Sequence, residues 1–235
     1  MPNSFFTFKQ FTIHHDRCAM KVGTDGVLLG AWVNLRNSHR ILDIGTGTGL
    51  IALMMAQRCN DSNITAIDID TEAVSQANEN IQASPWKERV IAMQQDIRSF
   101  HPDESFDTIV SNPPYFVNSL KSSDSQRNTA RHTDSLSAED LMQKAAELLT
   151  EDGHFSIILP TEQIEDLIQI CERVGLYPSR RTNVITRPRL TPKRTLMEFC
   201  KRKSSFPTDE LIVELDRHVY SEAYIALTRD FYLKM

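Results

Sequence analysis

Four sets of residues in this sequence have types and spacings suited to chemistry. Asp43, Gly45, Gly47 and Gly49 alternate through Asp-Ile-Gly-Thr-Gly-Thr-Gly. Glycines at alternate positions let a backbone approach a ligand closely and leave amides free at the start of a helix. Asp68 follows Gly49 by 19 residues and closes the apolar run Ile64 to Ile67. A carboxylate there can accept hydrogen bonds from both hydroxyls of a ribose. Asp96 follows a third apolar run and can accept a hydrogen bond from an adenine amino group. The fourth set is Asn112-Pro113-Pro114-Tyr115. An amino nitrogen on adenine, or an amide nitrogen, has its lone pair delocalised into a π-system and is a poor nucleophile. Two acceptors must hold its two N–H groups and favour a pyramidal nitrogen. The Asn112 side-chain carbonyl and the Pro113 backbone carbonyl can do so. Proline removes a competing donor and fixes the chain direction. Tyr115 offers a π-face for a planar substrate.

These residues need elements to hold them. Short apolar runs at 40–44, 64–67, 89–94, 106–111 and 153–159 predict buried strands, the last ended by Pro160. Between them the pattern predicts helices at 50–58, 71–83, 137–149 and 162–174. Asp70 or Thr71 caps the second of these, Ser137 begins the third and Gly175 stops the fourth. Strand and helix alternate from 40 to 175, which is the mark of a parallel sheet covered on both faces. Such sheets bind ligands at the carboxyl ends of their strands, and Gly45, Asp68, Asp96 and Asn112 all fall there. Residues 1–39 read as an irregular lead-in followed by a helix near 26–34. Residues 176–203 read as two strands joined around Pro188 to Pro192, followed by a strand at 209–215 and a helix at 221–231. Residues 112–136 are polar and without periodicity, as functional loops often are.

The 235 residues suit one domain, with 40% hydrophobic and 24% charged residues. The net charge of −5 announces no polyanion as partner. Basic residues nevertheless crowd at Arg180, Arg181, Arg187, Arg189, Lys193, Arg194, Lys201, Arg202 and Lys203, with Glu198 the sole acid among them. Such a segment on an acidic protein can steer a polyanion to one face. The loop after Tyr115 adds Lys121, Arg127 and Arg131. His132 is expected to order that loop rather than to catalyse. Cys18, Cys59, Cys171 and Cys200 are far apart and read as reduced, mostly buried thiols. His14 and His15 lack partners for a metal site. No leader peptide and no apolar run near the roughly 20 residues of a membrane span are visible. A cytoplasmic protein without metal or membrane partner, and a monomer, is the expectation.

The glycine turn departs from a dinucleotide fingerprint, whose last glycine would stand at Leu50. Ile41 to Gly49, with the acid at Asp68, instead resembles the class I methyltransferases, which bind S-adenosylmethionine. The resemblance implies α/β architecture with a Rossmann-like, seven-stranded, mostly parallel sheet. It implies that Gly45 and Gly47 wrap the methionine end, Asp68 holds the ribose and Asp96 reads the adenine. Asp43, Ile97 and Asn112 belong to the same expected cofactor set. The Asn-Pro-Pro-Tyr motif then narrows the acceptor to a nitrogen on a planar group: adenine N6, guanine N2 or a glutamine amide. A glutamine-amide methyltransferase of release factors would carry a helical domain ahead of the first strand, where this chain has about 40 aromatic and Gly-rich residues.

A closer likeness covers nearly the whole chain. Phe8 to Phe11, Asp16 to Trp32, Asn112 to Phe116, Ala130-Arg131-His132, Arg194 to Phe199 and Phe231-Tyr232-Leu233 resemble the bacterial valine-tRNA adenine-N6 methyltransferases, which act on adenosine 37 beside the anticodon. That likeness implies a tRNA partner and a cofactor site closed in part by Lys21 to Thr24, with Lys21, Gly23 and Thr24 as contacts. It makes Asn112, Pro113, Pro114 and Tyr115 catalytic, and Arg187, Arg189, Lys193 and Arg194 candidates for RNA binding with the loop cations. Residues 1–39 would contribute to a methyltransferase domain spanning 40–235. Methylation of a glutamine amide in a protein, or RNA binding without catalysis, are the alternatives.

Overall fold

The computed structural model describes residues 3–18, 20–114, 116 and 136–235. Tyr115, Lys121, Arg127, Arg131 and His132 lie outside them. The chain begins with an antiparallel hairpin, β1 (Phe5–Thr7) and β2 (Thr12–His14), followed by α1 (Thr24–Trp32). The lead-in is therefore not irregular throughout. Its three-residue strands are too short to show periodicity, and aromatic contacts hold them, with Phe8 stacked on Phe11 and on Tyr232.

The alternating unit follows as expected: β3 (Arg40–Ile44), α2 (Leu50–Arg58), β4 (Asn63–Asp68), α3 (Thr71–Gln82), β5 (Val90–Gln94), β6 (Phe106–Ser111), α4 (Ala138–Leu148), β7 (Leu149–Pro160), α5 (Ile164–Arg173), β8 (Tyr177–Ile185), β9 (Arg194–Cys200) and β10 (Thr208–Ile212). A small hairpin, β11 (Glu214–Asp216) and β12 (Val219–Tyr220), and α6 (Glu222–Thr228) complete it. Asp70 caps α3 by accepting from Glu72 N at 2.9 Å, and Ser137 caps α4 by accepting from Asp140 N at 3.0 Å.

The sheet runs β10-β8-β9-β7-β6-β3-β4-β5. It has eight strands where the resemblance implies seven. The extra one is β10, which adds in parallel to the β8 edge. β7 also starts earlier than 153, leaving α4 directly at Leu149, and Pro160 lies within it, paired with Arg194. Only β9 runs antiparallel to its neighbours. Of the cysteines Cys171 alone is buried, and the other three are half-buried.

Alternation along the strands builds two cores. Ile41 of β3 packs with α1, α2, α3 and α6 on one face, while Leu42 and Ile44 pack with α4 and α5 on the other. α1 is buried almost all round, so its apolar residues need no single stripe. Its Gly30 lets α2 approach: a methyl group there would lie 2.8 Å from Met54 Sδ. β3 is the pivot of the topology. The chain leaves it for β4 and β5, then returns to its other side as β6. A crevice opens at such a reversal, at the carboxyl ends of the strands.

Candidate functional site

β3 and β6 pair in parallel with Ile44 opposite Ser111. The residues after them, Gly45 and Asn112, therefore emerge side by side. Ser111 Oγ donates to Ile44 O at 2.9 Å and locks the two strand ends together inside the core. A cavity of about 480 Å³ opens above them. Its walls carry Lys21, Gly23 and Thr24 from the entry to α1, Gly45 and Gly47 from the glycine turn, and Asn112, Pro113 and Pro114. Eight residues expected to form one site thus meet in one place. The first residues of both α1 and α2 face it, and helix N-termini favour negative groups through their free amides and dipoles.

Gly45 and Gly47 take φ values of +72° and +55°. A methyl group on either would meet nothing within 4 Å, so the bare backbone faces open space. The turn is held from below. Gly45 N and Thr46 N both donate to Ile67 O, at 2.9 and 3.0 Å. Gly47 N donates to Asp68 Oδ2 at 2.8 Å. Asp68 is not on the cavity wall but braces it, and its Oδ1 accepts from Asp70 N at 3.1 Å. Each of its oxygens keeps acceptor capacity for a ligand.

Asp43 lies under the turn, 1% exposed. Thr46 Oγ1 donates to its Oδ2 at 2.6 Å, while Oδ1 has no hydrogen-bond partner among the described residues. Burial pushes this carboxyl up to about 7, and the nearby Asp68 charge adds to the effect against the Thr46 hydrogen bond. An orphaned carboxylate oxygen and a glycine cradle without side chains fit an amino-acid ligand with a cationic amine, as S-adenosylmethionine carries.

Asp96 and Ile97 follow β5, on the far side of β4, and are absent from the Asn112 cavity. Arg98 grips the Asp96 carboxylate at 2.6 Å, and this hydrogen bond holds the carboxyl below the usual range. Asp96 is thus an ionised acceptor. Ile97 is buried in the second core.

A family model for the methyltransferase small domain matches residues 19–172. The tRNA1(Val) (adenine(37)-N6)-methyltransferase of Phocaeicola vulgatus is 55% identical over 235 residues, covering 100% of both chains. That of Flavobacterium psychrophilum is 45% identical over 233 residues, covering 98% of this chain and 100% of its own. This chain belongs to the tRNA1(Val) (adenine(37)-N6)-methyltransferase family. Solved structures share the fold. A predicted O-methyltransferase from Agrobacterium tumefaciens superposes with a TM-score of 0.70 at 20% identity, over 88% of this chain and 96% of its own. The glycopeptide N-methyltransferase MtfA, complexed with S-adenosyl-L-methionine, gives 0.57 at 13% identity, over 77% of this chain and 100% of its own.

In this member of the tRNA1(Val) (adenine(37)-N6)-methyltransferase family three positioning residues escape the sequence reading. Asn80 of α3 is 1% exposed. It donates to Thr48 O and His14 O, both at 2.9 Å, and accepts from His14 N at 2.9 Å. It ties the hairpin to the glycine turn. His15 accepts from Val22 N through Nδ1, which places its proton on Nε2, the donor to Asn3 O at 2.9 Å. That ring orders the segment carrying Lys21 and Gly23. Gly26 of α1 would, with a methyl group, lie 3.1 Å from Leu50 Cδ2, so glycine here lets the start of α1 close on the start of α2 beside Asn112. Phe116, just past the motif, is anchored in the second core. A buried asparagine carries no signal in a lone sequence, and a glycine after an aspartate reads as a turn.

The basic segment looks different once folded. The Arg180 guanidinium lies 3.5 Å over the Trp32 ring and donates to Trp32 O, a structural role. Arg181, Lys201, Arg202 and Lys203 pair with Glu165, Glu151, Asp152 and Glu172. Arg187 pairs with Glu214 at 3.2 Å and Arg194 with Asp25 at 2.7 Å. Arg189 and Lys193 form no ion pair among the described residues. Among those residues there is also no cluster able to hold a metal, and no helix is long and apolar enough to cross a membrane.

Proposed function

We propose that this enzyme methylates N6 of adenosine 37 in a valine tRNA, using S-adenosylmethionine. The observation that carries this reading is Asn112-Pro113-Pro114 on the wall of the glycine-turn cavity, in a chain matched end to end by relatives of that activity. Bound S-adenosylmethionine would supply a methyl group on a sulfonium, ready for in-line attack by a nitrogen. Gly45, Gly47 and the α1 entry at Lys21, Gly23 and Thr24 would hold its amino-acid end, over the Asp43 carboxylate. Asp68 would take the ribose hydroxyls and Asp96, beside Ile97, the adenine.

The residues of the motif then act on the acceptor. The Asn112 side-chain carbonyl and the Pro113 carbonyl accept the two N6 hydrogens and hold the nitrogen pyramidal. Proline at 113 offers no competing N–H. Asn112 is positioned by the Ser111–Ile44 lock below it. No strong base is required, because the nitrogen becomes acidic as the methyl group arrives. Orientation supplies much of the rate, up to roughly 7–11 kcal/mol for well-placed reactants. Tyr115 is the proposed stacking face for the adenine.

The enzyme acts as a cytoplasmic monomer in one catalytic domain, to which residues 1–39 contribute. The test is incubation with labelled S-adenosylmethionine and bulk tRNA, followed by nucleoside analysis. Label in N6-methyladenosine supports the reading. Label in another nucleoside, or none in RNA, overturns it.

A further inference from the structure

A second groove, about 980 Å³, lies against the catalytic cavity. The two share Thr24 and Asp25 of α1 as a common wall. On the far side of that wall the lining changes character. Phe5 and Phe6 of β1 join Tyr220 and Tyr232 along it. Phe5 and Phe6 are 46% and 37% exposed, high for rings so large. Phe6 meets Tyr232 edge-on with ring centres 6.0 Å apart, so the β1 hairpin and the residues after α6 share an aromatic contact along this wall.

The acidic side chains of the groove are paired, while two of its cationic side chains form no ion pair among the described residues. Its acids, Asp25 and Glu214, are held by Arg194 and Arg187. Its cations Lys193 and Lys234 form no ion pair among the described residues. Exposed rings beside unneutralised cations suit a ligand with π-faces and phosphates together, which describes unpaired nucleotides. A folded protein partner would be met with a flatter, better-packed apolar face.

We propose that this groove holds one or more unpaired nucleotides adjoining the methylated base, stacked on Phe5, Tyr220 and Tyr232, with a phosphate on Lys193. The proposal rests on the function proposed above and adds where the strand runs: from Asn112 over the Thr24–Asp25 ridge toward the β1 hairpin. It gives the hairpin and the last residues of the chain a role in RNA recognition apart from the basic strands. A base that must leave its stack to reach Asn112 loses stacking with its neighbours, and the aromatic surface would replace it.

The test compares Phe5→Ala and Lys193→Gln with the parent on an anticodon stem-loop RNA, measuring methylation kinetics and binding across a salt series. Melting temperature and S-adenosylmethionine affinity serve as checks on folding. Phe5→Ala should raise KM for the RNA by at least about fivefold, the low end for a lost base–aromatic stack, while kcat holds. Lys193→Gln should flatten the slope of log affinity against log salt by about 0.7. Variants that fold as the parent does and keep its KM and salt slope would overturn the groove and leave the function standing. A parent inert on every tRNA would overturn the function, and the groove with it.

Discussion

The Gly47 amide donates to the Asp68 carboxylate across 2.8 Å, joining the turn after β3 to the end of β4. One acid therefore shapes the glycine cradle and, in the proposed function, also takes the ribose hydroxyls. Asp68→Ala should weaken S-adenosylmethionine binding more than tenfold, because charge-assisted hydrogen bonds worth roughly 1.5–3 kcal/mol each are lost. Asp68→Asn should fall between, since its one carbonyl cannot brace Gly47 and serve a second donor as well as two carboxylate oxygens can. Titration calorimetry checks both, and unchanged affinity in Asp68→Ala would remove this residue from the site.

Asn112 is predicted to act on the acceptor rather than on the cofactor. Asn112→Ala should lower kcat by roughly 10²–10³, as removal of a preorganised polar partner does elsewhere. Cofactor affinity should change little. Normal turnover in the variant would reduce Asn112 to a turn residue.

The buried Asp43 makes stability depend on pH. Its carboxyl is raised from 3.8 to about 7, so the folded state keeps a proton that the unfolded chain releases. The unliganded protein is therefore penalised progressively as pH rises from about 4 to about 7, and fully above that. Asp43→Asn keeps an acceptor for Thr46 but has no charge to bury. Its stability relative to the parent should grow between pH 5 and pH 8, by on the order of 2–3 kcal/mol. Urea unfolding at the two pH values measures this, and a difference independent of pH would mean the carboxylate is well solvated when folded.

Asn80 is the other structural hinge of the site. Asn80→Ala removes three hydrogen bonds from a fully buried position. A loss of about 2–4 kcal/mol in folding stability is expected. Because Thr48 O is freed in the glycine turn, cofactor affinity should fall as well. A variant that is destabilised but binds S-adenosylmethionine as the parent does would confine Asn80 to holding the hairpin.

The core of this arrangement was legible because it obeys local rules. β3, α2 and β6 run over the residues that apolar patterning marks, and Asp70 and Ser137 cap the helices expected of them. Parallel strands buried on both faces read as short apolar runs, and ligands of such sheets bind at the residues that follow them. The hairpin at 5–14 escaped because it is held by aromatic contacts with the far end of the chain, such as Phe8 on Tyr232. The start of β7 escaped because Thr150-Glu151-Asp152-Gly153 has the composition of a turn. The pairing of the basic segment was hidden for a related reason. Arg194 finds its acid, Asp25, 169 positions away, and a run of charge in one dimension does not show such partners. For that reason Arg194→Gln should leave the salt slope of RNA binding unchanged, whereas Arg189→Gln, with no ion pair to break among the described residues, should flatten it if it meets a phosphate.

The central claim is that Asn112 and its neighbours present one adenine, at position 37, to a sulfonium methyl. Its most direct test is methyl transfer to a valine tRNA transcript and to the same transcript with guanosine at position 37, followed by nucleoside analysis. The account predicts N6-methyladenosine in the first and none in the second. Equal methylation of both, or transfer to a glutamine amide of a protein in place of RNA, would contradict it.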